Sequence, residues 1–457
     1  MIFSRFLPLL GTLLVLPALL GGCATTAPVT KPDNLCHFRR WQLEVEQPSG
    51  TVATASEAPL AAPAAPPAQA KRPVDNAYLL LSGGSQNGAF GAGYLAEWHR
   101  QGGRLPRFRT VTGISTGAIL ASWAFIDEPE VMEQAYRITK ESDLLTAYAH
   151  YNRKHELTLP SYLALARHNA LADLGPLRKK LFGLLDERTL RTIATQPDER
   201  ALQIGVVDSD TGQAIILDMV HMARKAIASH DAGDARSFAR YRGCYADAII
   251  ASSSAPMAAR PAFIDNRMYI DGGARFGLFV RDFGDTSKAF APSPPNALDN
   301  GTPPAVYLIV NGTQQVGPEC GRIDENKCPG GFDPPFDIKD PHRKWDLAST
   351  GLRATDILTN QVYRFSVADL AQRYKASYGE QAYARHFHFT RINRKTMLAH
   401  PYPRDGGKSC REWHELDWQQ SRPLQFYPHY MACLIDYGSA RATGQHWWDV
   451  QGESDAL

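Results

Sequence analysis

Residues 77–126 read AYLLLSGGSQNGAFGAGYLAEWHRQGGRLPRFRTVTGISTGAILASWAFI, and the alternation of patterns within them decides the fold class. Residues 77–84 are an apolar run ending in two glycines, as in a strand buried on both faces. Residues 87–103 carry helical spacing and close on Gly102 and Gly103. Residues 108–115 form a second strand-like run. Residues 115–126 return to helical periodicity, with Ala118, Ile119, Ser122 and Trp123 on close faces. Strand, helix, strand, helix predicts a mainly parallel sheet flanked by helices, hence an α/β fold in three layers.

Working outward, helices are expected over 129–140 and 174–196, followed by a strand pair, ALQIGVVDSD and GQAIILDMV, around a turn at Thr211 and Gly212. An Ala-rich helix over 245–256 leads into RMYIDGG (267–273), and AVYLIVNG (305–312) reads as another buried strand. A long amphipathic helix is expected over 346–376, a strand over 385–392 and a closing helix near 429–442. Segments 285–304 and 316–342 read as loops rich in Pro, Asn, Asp and Gly. Upstream, residues 49–72 are an Ala and Pro stretch with no apolar period, which predicts a tether. Before it, NLCHFRRWQLEVEQ (34–47) suits a short strand docked on the body.

Composition limits the function classes. The chain has 457 residues, 44% apolar and 21% charged, which is the profile of a globular protein. Its 49 Lys and Arg against 47 Asp and Glu leave a net charge of +2, so no charge excess argues for a nucleic-acid partner. The first 22 residues have a positive flank at Arg5, an apolar run from Phe6 to Leu20 and small residues Gly21 and Gly22, the anatomy of a secretory signal. Leu20-Gly21-Gly22-Cys23 resembles the lipobox of bacterial lipoproteins. That resemblance implies cleavage before Cys23, acylation of its thiol and, with Ala24 following, residence at the periplasmic face of the outer membrane. Two or three acyl chains would hold the protein there. Cys36, Cys244, Cys320, Cys328, Cys410 and Cys433 remain, an even number suited to disulfides in an oxidising compartment. Of the 15 pairings that six cysteines allow, Cys320 with Cys328 is the first candidate, since they bracket a short polar loop. No CxxC pair or HExxH helix is present, and no metal or organic cofactor is expected.

Three segments carry chemistry. Gly113-Ile114-Ser115-Thr116-Gly117 is a GxSxG placed between a strand and a helix, the context of a nucleophile elbow. A glycine turn with a capping serine has the same sequence. Ser82-Gly83-Gly84-Ser85-Gln86-Asn87-Gly88 follows a strand and opens a helix, so its N–H groups would converge on an anion such as an oxyanion. The spacing fits neither the dinucleotide fingerprint, because Ser85 stands at its second glycine, nor a P-loop. Ile270-Asp271-Gly272-Gly273 ends a short apolar strand on an acid; alone it is a common turn.

Together and in this order, the three segments resemble the patatin-like phospholipase family, in which a Gly-rich oxyanion loop, a GxSxG serine and a DGG or DGA aspartate form a Ser–Asp dyad without histidine. ASSSAP (251–256) resembles the family's segment before that aspartate. The resemblance implies that Ser115 is the nucleophile and Asp271 its general base. Gly83, Gly84, Ser85 and Gln86 would form the oxyanion hole, with Gly88, Gly113, Gly117, Gly272 and Gly273 supporting these motifs. The family's loop usually reads GGGx[RK]G. Ser85 replaces its third glycine and Asn87 its basic residue, departures that bear on rate and headgroup preference; Asn87 also suits a helix cap. The implied layout is a signal peptide (1–22), a lipid-anchored segment and linker (23–75), a catalytic domain (76–284) and a C-terminal extension that completes or packs on it (285–457). The implied activity is hydrolysis of lipid carboxylic esters at a membrane surface, with the acyl position and headgroup left open. Two alternatives remain. A Ser-His-Asp hydrolase would draw its base from His386, His388 or His429, and a non-catalytic envelope lipoprotein would bind lipid or a protein partner through the same scaffold.

Overall fold

A computed structural model describes residues 35–43, 60–61, 63, 73–152, 157–280, 302–313, 347–402, 406–443 and 447. The expected signal, Cys23, most of the expected tether, Cys320 and Cys328 lie outside the described residues. Eleven strands are described: β1 (Arg40–Gln42), β2 (Asp75–Leu81), β3 (Phe108–Ile114), β4 (Thr146–Ala147), β5 (Ala172–Asp173), β6 (Ala201–Asp208), β7 (Ala214–Asp218), β8 (Ala262–Ile264), β9 (Arg267–Asp271), β10 (Ala305–Val310) and β11 (Phe387–Arg391). Nine of them form one sheet, in which β11, β10, β2, β3 and β6 run parallel. The strands β7, β1, β9 and β8 join it antiparallel. β4 and β5 make a separate antiparallel pair. The fold class expected from the sequence is the one observed.

Residue alternation divides the core into two layers. Leu79, Leu81, Val111, Leu202, Ile204, Val206 and Ile309 face one side, under the helices Gly88–Gly102, Thr116–Phe125, Met219–Asp231, Ala235–Ser252 and Pro428–Thr443. Leu80, Ile114, Val207, Ile216, Leu308 and Val310 face the other, under the helix Leu347–His386 and residues 276–280. The period of two along each strand thus supplies both faces of the sheet.

Residues beyond 284 complete this architecture, because β10 lies between β2 and β11 within the sheet. The helix Pro428–Thr443 packs tightly on Gly88–Gly102. A Cβ at Gly93 would strike the Ile435 carbonyl, and one at Gly438 the Phe90 carbonyl, so glycine on each helix permits the contact. Upstream, β1 docks on β7 as expected. Its approach is fixed by Asp265, whose carboxylate accepts the N–H groups of Cys36, His37 and Phe38 at 2.6–3.1 Å, and by a Cys36–Cys244 disulfide. A second disulfide, Cys410–Cys433, joins the helices Cys410–Ser421 and Pro428–Thr443.

Three helical expectations are corrected. The 129–140 stretch is helical only over Glu130–Tyr136. The 174–196 stretch is two helices, Gly175–Leu184 and Glu187–Ala194, because the Asp186 carboxylate accepts the Thr189 N–H and starts a new helix. The long helix runs from Leu347 to His386 and is broken at Gly379, whose φ of 81° only glycine adopts easily. Among the described residues no helix is long and apolar enough to cross a membrane.

Candidate active site

Ser115 occupies the turn between β3 and the helix Thr116–Phe125. Its φ of 53° and ψ of −123° are a sparsely populated backbone geometry, as expected of a nucleophile elbow. The turn closes only because both flanking positions lack side chains. A Cβ at Gly113 would collide with the Gly117 carbonyl, and one at Gly117 with the Leu81 carbonyl. The strain is offset by a specific bond, since the Ser115 N–H donates to Ser252 Oγ at 2.8 Å and that hydroxyl donates to the Gly205 carbonyl at 2.7 Å. The ASSSAP segment therefore has a structural task.

Strand β6 brings the acid to the serine. Along one edge, Gly205 pairs with Ile114 of β3 and the next residue, Val206, pairs with Asp271 of β9. Both partners lie on the same edge, because β7 occupies the other edge at these residues. Two segments far apart in sequence thus end side by side. The Asp271 N–H donates to the Ser254 carbonyl at 3.0 Å, and its carboxylate accepts the Gly273 N–H at 2.7 Å. The Ser115 hydroxyl lies within hydrogen-bonding reach of the same carboxylate. Burial pushes the Asp271 carboxyl up to about 6, against the opposing effect of the hydrogen bonds from Ser115 and the Gly273 N–H. A carboxyl there is ionised at neutral pH and still basic enough to accept a proton.

The glycine loop stands opposite. Gly83 and Gly84 precede a short turn, Ser85–Asn87, that leads into the helix starting at Gly88. The first N–H groups of a helix have no intrahelical acceptor and favour negative charge. Gly84 has a φ of 151°, and a Cβ there would overlap the Asn311 carbonyl. Asn311, at the end of β10, props the loop: its N–H donates to Ser82 Oγ, its Nδ2 to the Ser82 carbonyl, and its Oδ1 accepts the Gly91 N–H, at 2.9–3.1 Å. A Cβ at Gly88 would strike the Thr116 hydroxyl. Gly272 packs under the Gly205 carbonyl and Gly273 beside Asp271. The amide of Asn87 does not cap the helix, contrary to expectation; the residue has helical backbone angles and lines the cavity.

Ser85 has a further partner. Gln425 Nε2 donates to Ser85 Oγ at 2.7 Å, and the Tyr427 N–H donates to Gln86 Oε1 at 3.1 Å. The 424–427 loop is itself fixed by Glu141, whose carboxylate accepts the N–H groups of Leu424, Gln425 and Phe426 at 2.6–2.9 Å. The hydroxyl where the family usually has glycine is thus bonded to the C-terminal extension. Tyr363 also escaped the sequence reading. Its ring passes over Gly277, and its hydroxyl fills the space where Gly83 or Gly273 would carry a Cβ.

These groups share a cavity of about 690 Å³, within the usual range of ligand pockets. Ser115 and Asp271 both line it. Ile119, Met132, Leu144, Leu177, Leu181 and Leu184 give its lining an apolar part, and Phe426 and Tyr427 line it too. His386, His388 and His429 do not line it. His388 stacks on Tyr307, and His429 pairs with Asp417 at 2.6 Å while stacking on Trp413. His414 does line the cavity, stacked on Tyr427. Among the described residues, no cluster of three His, Cys, Asp or Glu side chains is placed to hold a metal ion.

Comparison with known proteins agrees with the motifs. Residues 79–283 match the family model of the patatin-like phospholipases. No curated protein matches the chain. Among solved structures, that of VipD from Legionella pneumophila aligns with 52% of this chain and 50% of its own, at 12% identity and a TM-score of 0.27. The alignment therefore spans half of that protein.

Proposed function

We propose that the patatin-like segment of this chain, completed by its C-terminal extension, is a serine hydrolase of lipid carboxylic esters that works through a Ser115–Asp271 dyad. The observation that carries the reading is the register of β6, which seats Ile114, the residue before Ser115, and Asp271 at adjacent positions of one strand edge, with Ser115 and Asp271 both lining a largely apolar cavity. Asp271 takes the Ser115 proton as Oγ attacks the ester carbonyl carbon. The tetrahedral oxyanion turns to the N–H groups of Gly83, Gly84, Ser85 and Gln86. Collapse breaks the bond to the alcohol, and the proton on Asp271 passes to the departing oxygen. Water then attacks the acyl-enzyme, gives its proton to Asp271, and Ser115 recovers a proton as the fatty acid leaves. The leucines of the cavity lining suit an acyl chain, and no step calls on a metal or organic cofactor.

The same reading places the chain at the cell envelope, held by lipid on Cys23 at the periplasmic face of the outer membrane, with the 49–72 tether as spacer. Replacing Cys23 by Ser is expected to release the chain from the membrane fraction. The decisive experiment offers dioctanoylphosphatidylcholine, its lyso form and a monoglyceride to the full chain. Fatty acid release that is lost in Ser115→Ala and Asp271→Asn is expected. A folded wild type that releases none from these or from a p-nitrophenyl ester would instead favour a lipid-binding scaffold.

A further inference from the structure

The catalytic centre holds a polar group that the dyad mechanism does not use. Tyr363 comes from the helix Leu347–His386, beyond the 79–283 segment that matches the family model. The side chain is 8% exposed, yet its hydroxyl makes no hydrogen bond to any described residue. It is aimed at the reaction centre. A Cβ at Gly83, of the glycine loop, would collide with it, and a Cβ at Gly273, beside Asp271, would sit 3.0 Å from it. The same imagined Gly83 Cβ would be 3.0 Å from Ser115 Cβ, and the Gly273 one 3.1 Å from Asp271 Oδ1. The hydroxyl thus lies between loop and acid, in the wall of the cavity that holds both Ser115 and Asp271. Packing alone is served equally by phenylalanine, and the hydroxyl instead faces the cavity.

Resting on the ester-hydrolase reading, we infer that the Tyr363 hydroxyl donates a hydrogen bond to the leaving oxygen of the ester. Asp271 must take the Ser115 proton and return it to that oxygen, so the alcohol departs on the Asp271 side while the carbonyl oxygen turns to the loop. The hydroxyl, set between Gly83 and Gly273, borders that side as well as the loop. As the C–O bond breaks, its electron pair goes to the oxygen, which accepts a hydrogen bond from Tyr363 and a proton from Asp271. Tyr363 keeps its own proton. Burial, reinforced by the Asp271 charge, holds the phenol well above its ordinary range, so it stays a donor throughout the neutral range.

The test compares two esters of one acyl chain, ethyl octanoate and p-nitrophenyl octanoate, in wild type and Tyr363→Phe. The ratio kcat/KM reports events through acylation. The alkoxide of ethanol needs help to leave and p-nitrophenolate does not. In Tyr363→Phe, kcat/KM for the ethyl ester should fall about 10-fold or more, a share of the 10²–10³ that a lost oxyanion donor costs, and the p-nitrophenyl ester should change little. The thermal midpoint and the rate of fluorophosphonate labelling, whose fluoride leaves without a proton donor, should hold, which shows that the site remains assembled. Equal losses on both esters would make Tyr363 an oxyanion donor or a prop for the dyad, and no loss on either would make it packing; both overturn the inference alone. A wild type that cleaves neither ester would bring down the hydrolase reading itself, and this inference with it.

Discussion

Replacing the candidate base should make the protein inactive and more stable at the same time. In the fold Asp271 titrates at about 6, against an ordinary 3.8, because it is buried. Folding therefore binds a proton between these values. The cost of ionising the buried carboxyl is absent below 3.8 and fully present above about 6. At ~1.4 kcal/mol per pH unit, the span from 3.8 to about 6 amounts to roughly 3 kcal/mol at neutral pH. The neutral amide introduced by Asp271→Asn would carry no such cost, and its carbonyl can still accept the Gly273 N–H. Tyr363, which the Asp271 charge also acts on, stays protonated throughout this range, and the remaining titrations are shared by the two chains and cancel in the comparison. The assay is the thermal midpoint of full-length wild type and Asp271→Asn, measured at about pH 4 and about pH 7.5. The variant should melt several degrees higher at the upper pH and nearly together with wild type at the lower. A variant that is less stable at the upper pH, or a gap that does not depend on pH, would refute the burial argument, and with it the reason for regarding Asp271 as a tuned base.

The remaining predictions concern rate and architecture. For wild type, kcat/KM should rise with pH through about 6 and then level off, since the base must be ionised; a limb near 3.8 would mean an exposed carboxyl. Gln425→Ala removes the bond to Ser85 and should lower kcat by about 10-fold, less than the 10²–10³ of losing an oxyanion donor outright, with KM little changed in steady-state assays. An unaltered kcat would show that the glycine loop holds its shape unaided. Cys36→Ser with Cys244→Ser opens a crosslink between residues 208 apart, worth up to about 5 kcal/mol in the chain-entropy account. The melting midpoint should fall markedly, and an unchanged midpoint would mean that the N-terminal strand contributes little.

What could be read from the sequence was what local chemistry dictates. The βαβα run, the GxSxG turn and the strand ending in Asp271 each depend on neighbours within a few residues, through side-chain period, glycine size or turn preference. The helix break at Asp186 also has a local sign, an acid three residues before Thr189, but the helical spacing on either side concealed it. The rest depends on contacts between distant segments. Nothing near Gly205 announces that β6 seats Ile114 and Asp271 side by side. Gln425 meets Ser85 across 340 residues, and Asn311 reaches Ser82 across 229. Ser85 read as a weakened glycine because its partner was not visible. Tyr363 lies in an ordinary amphipathic helix pattern, and only the folded chain puts its hydroxyl against Gly83 and Gly273. The disulfides followed the same rule, since Cys36 meets Cys244 only once β1 docks on β7.

The central claim is that Ser115 is a nucleophile activated by Asp271, and labelling with a fluorophosphonate serine probe tests it most directly. The full chain should label in the wild type, fail to label in Ser115→Ala and label far more slowly in Asp271→Asn. A folded wild type that does not label, or an Asp271→Asn variant that labels at the wild-type rate, would contradict the account.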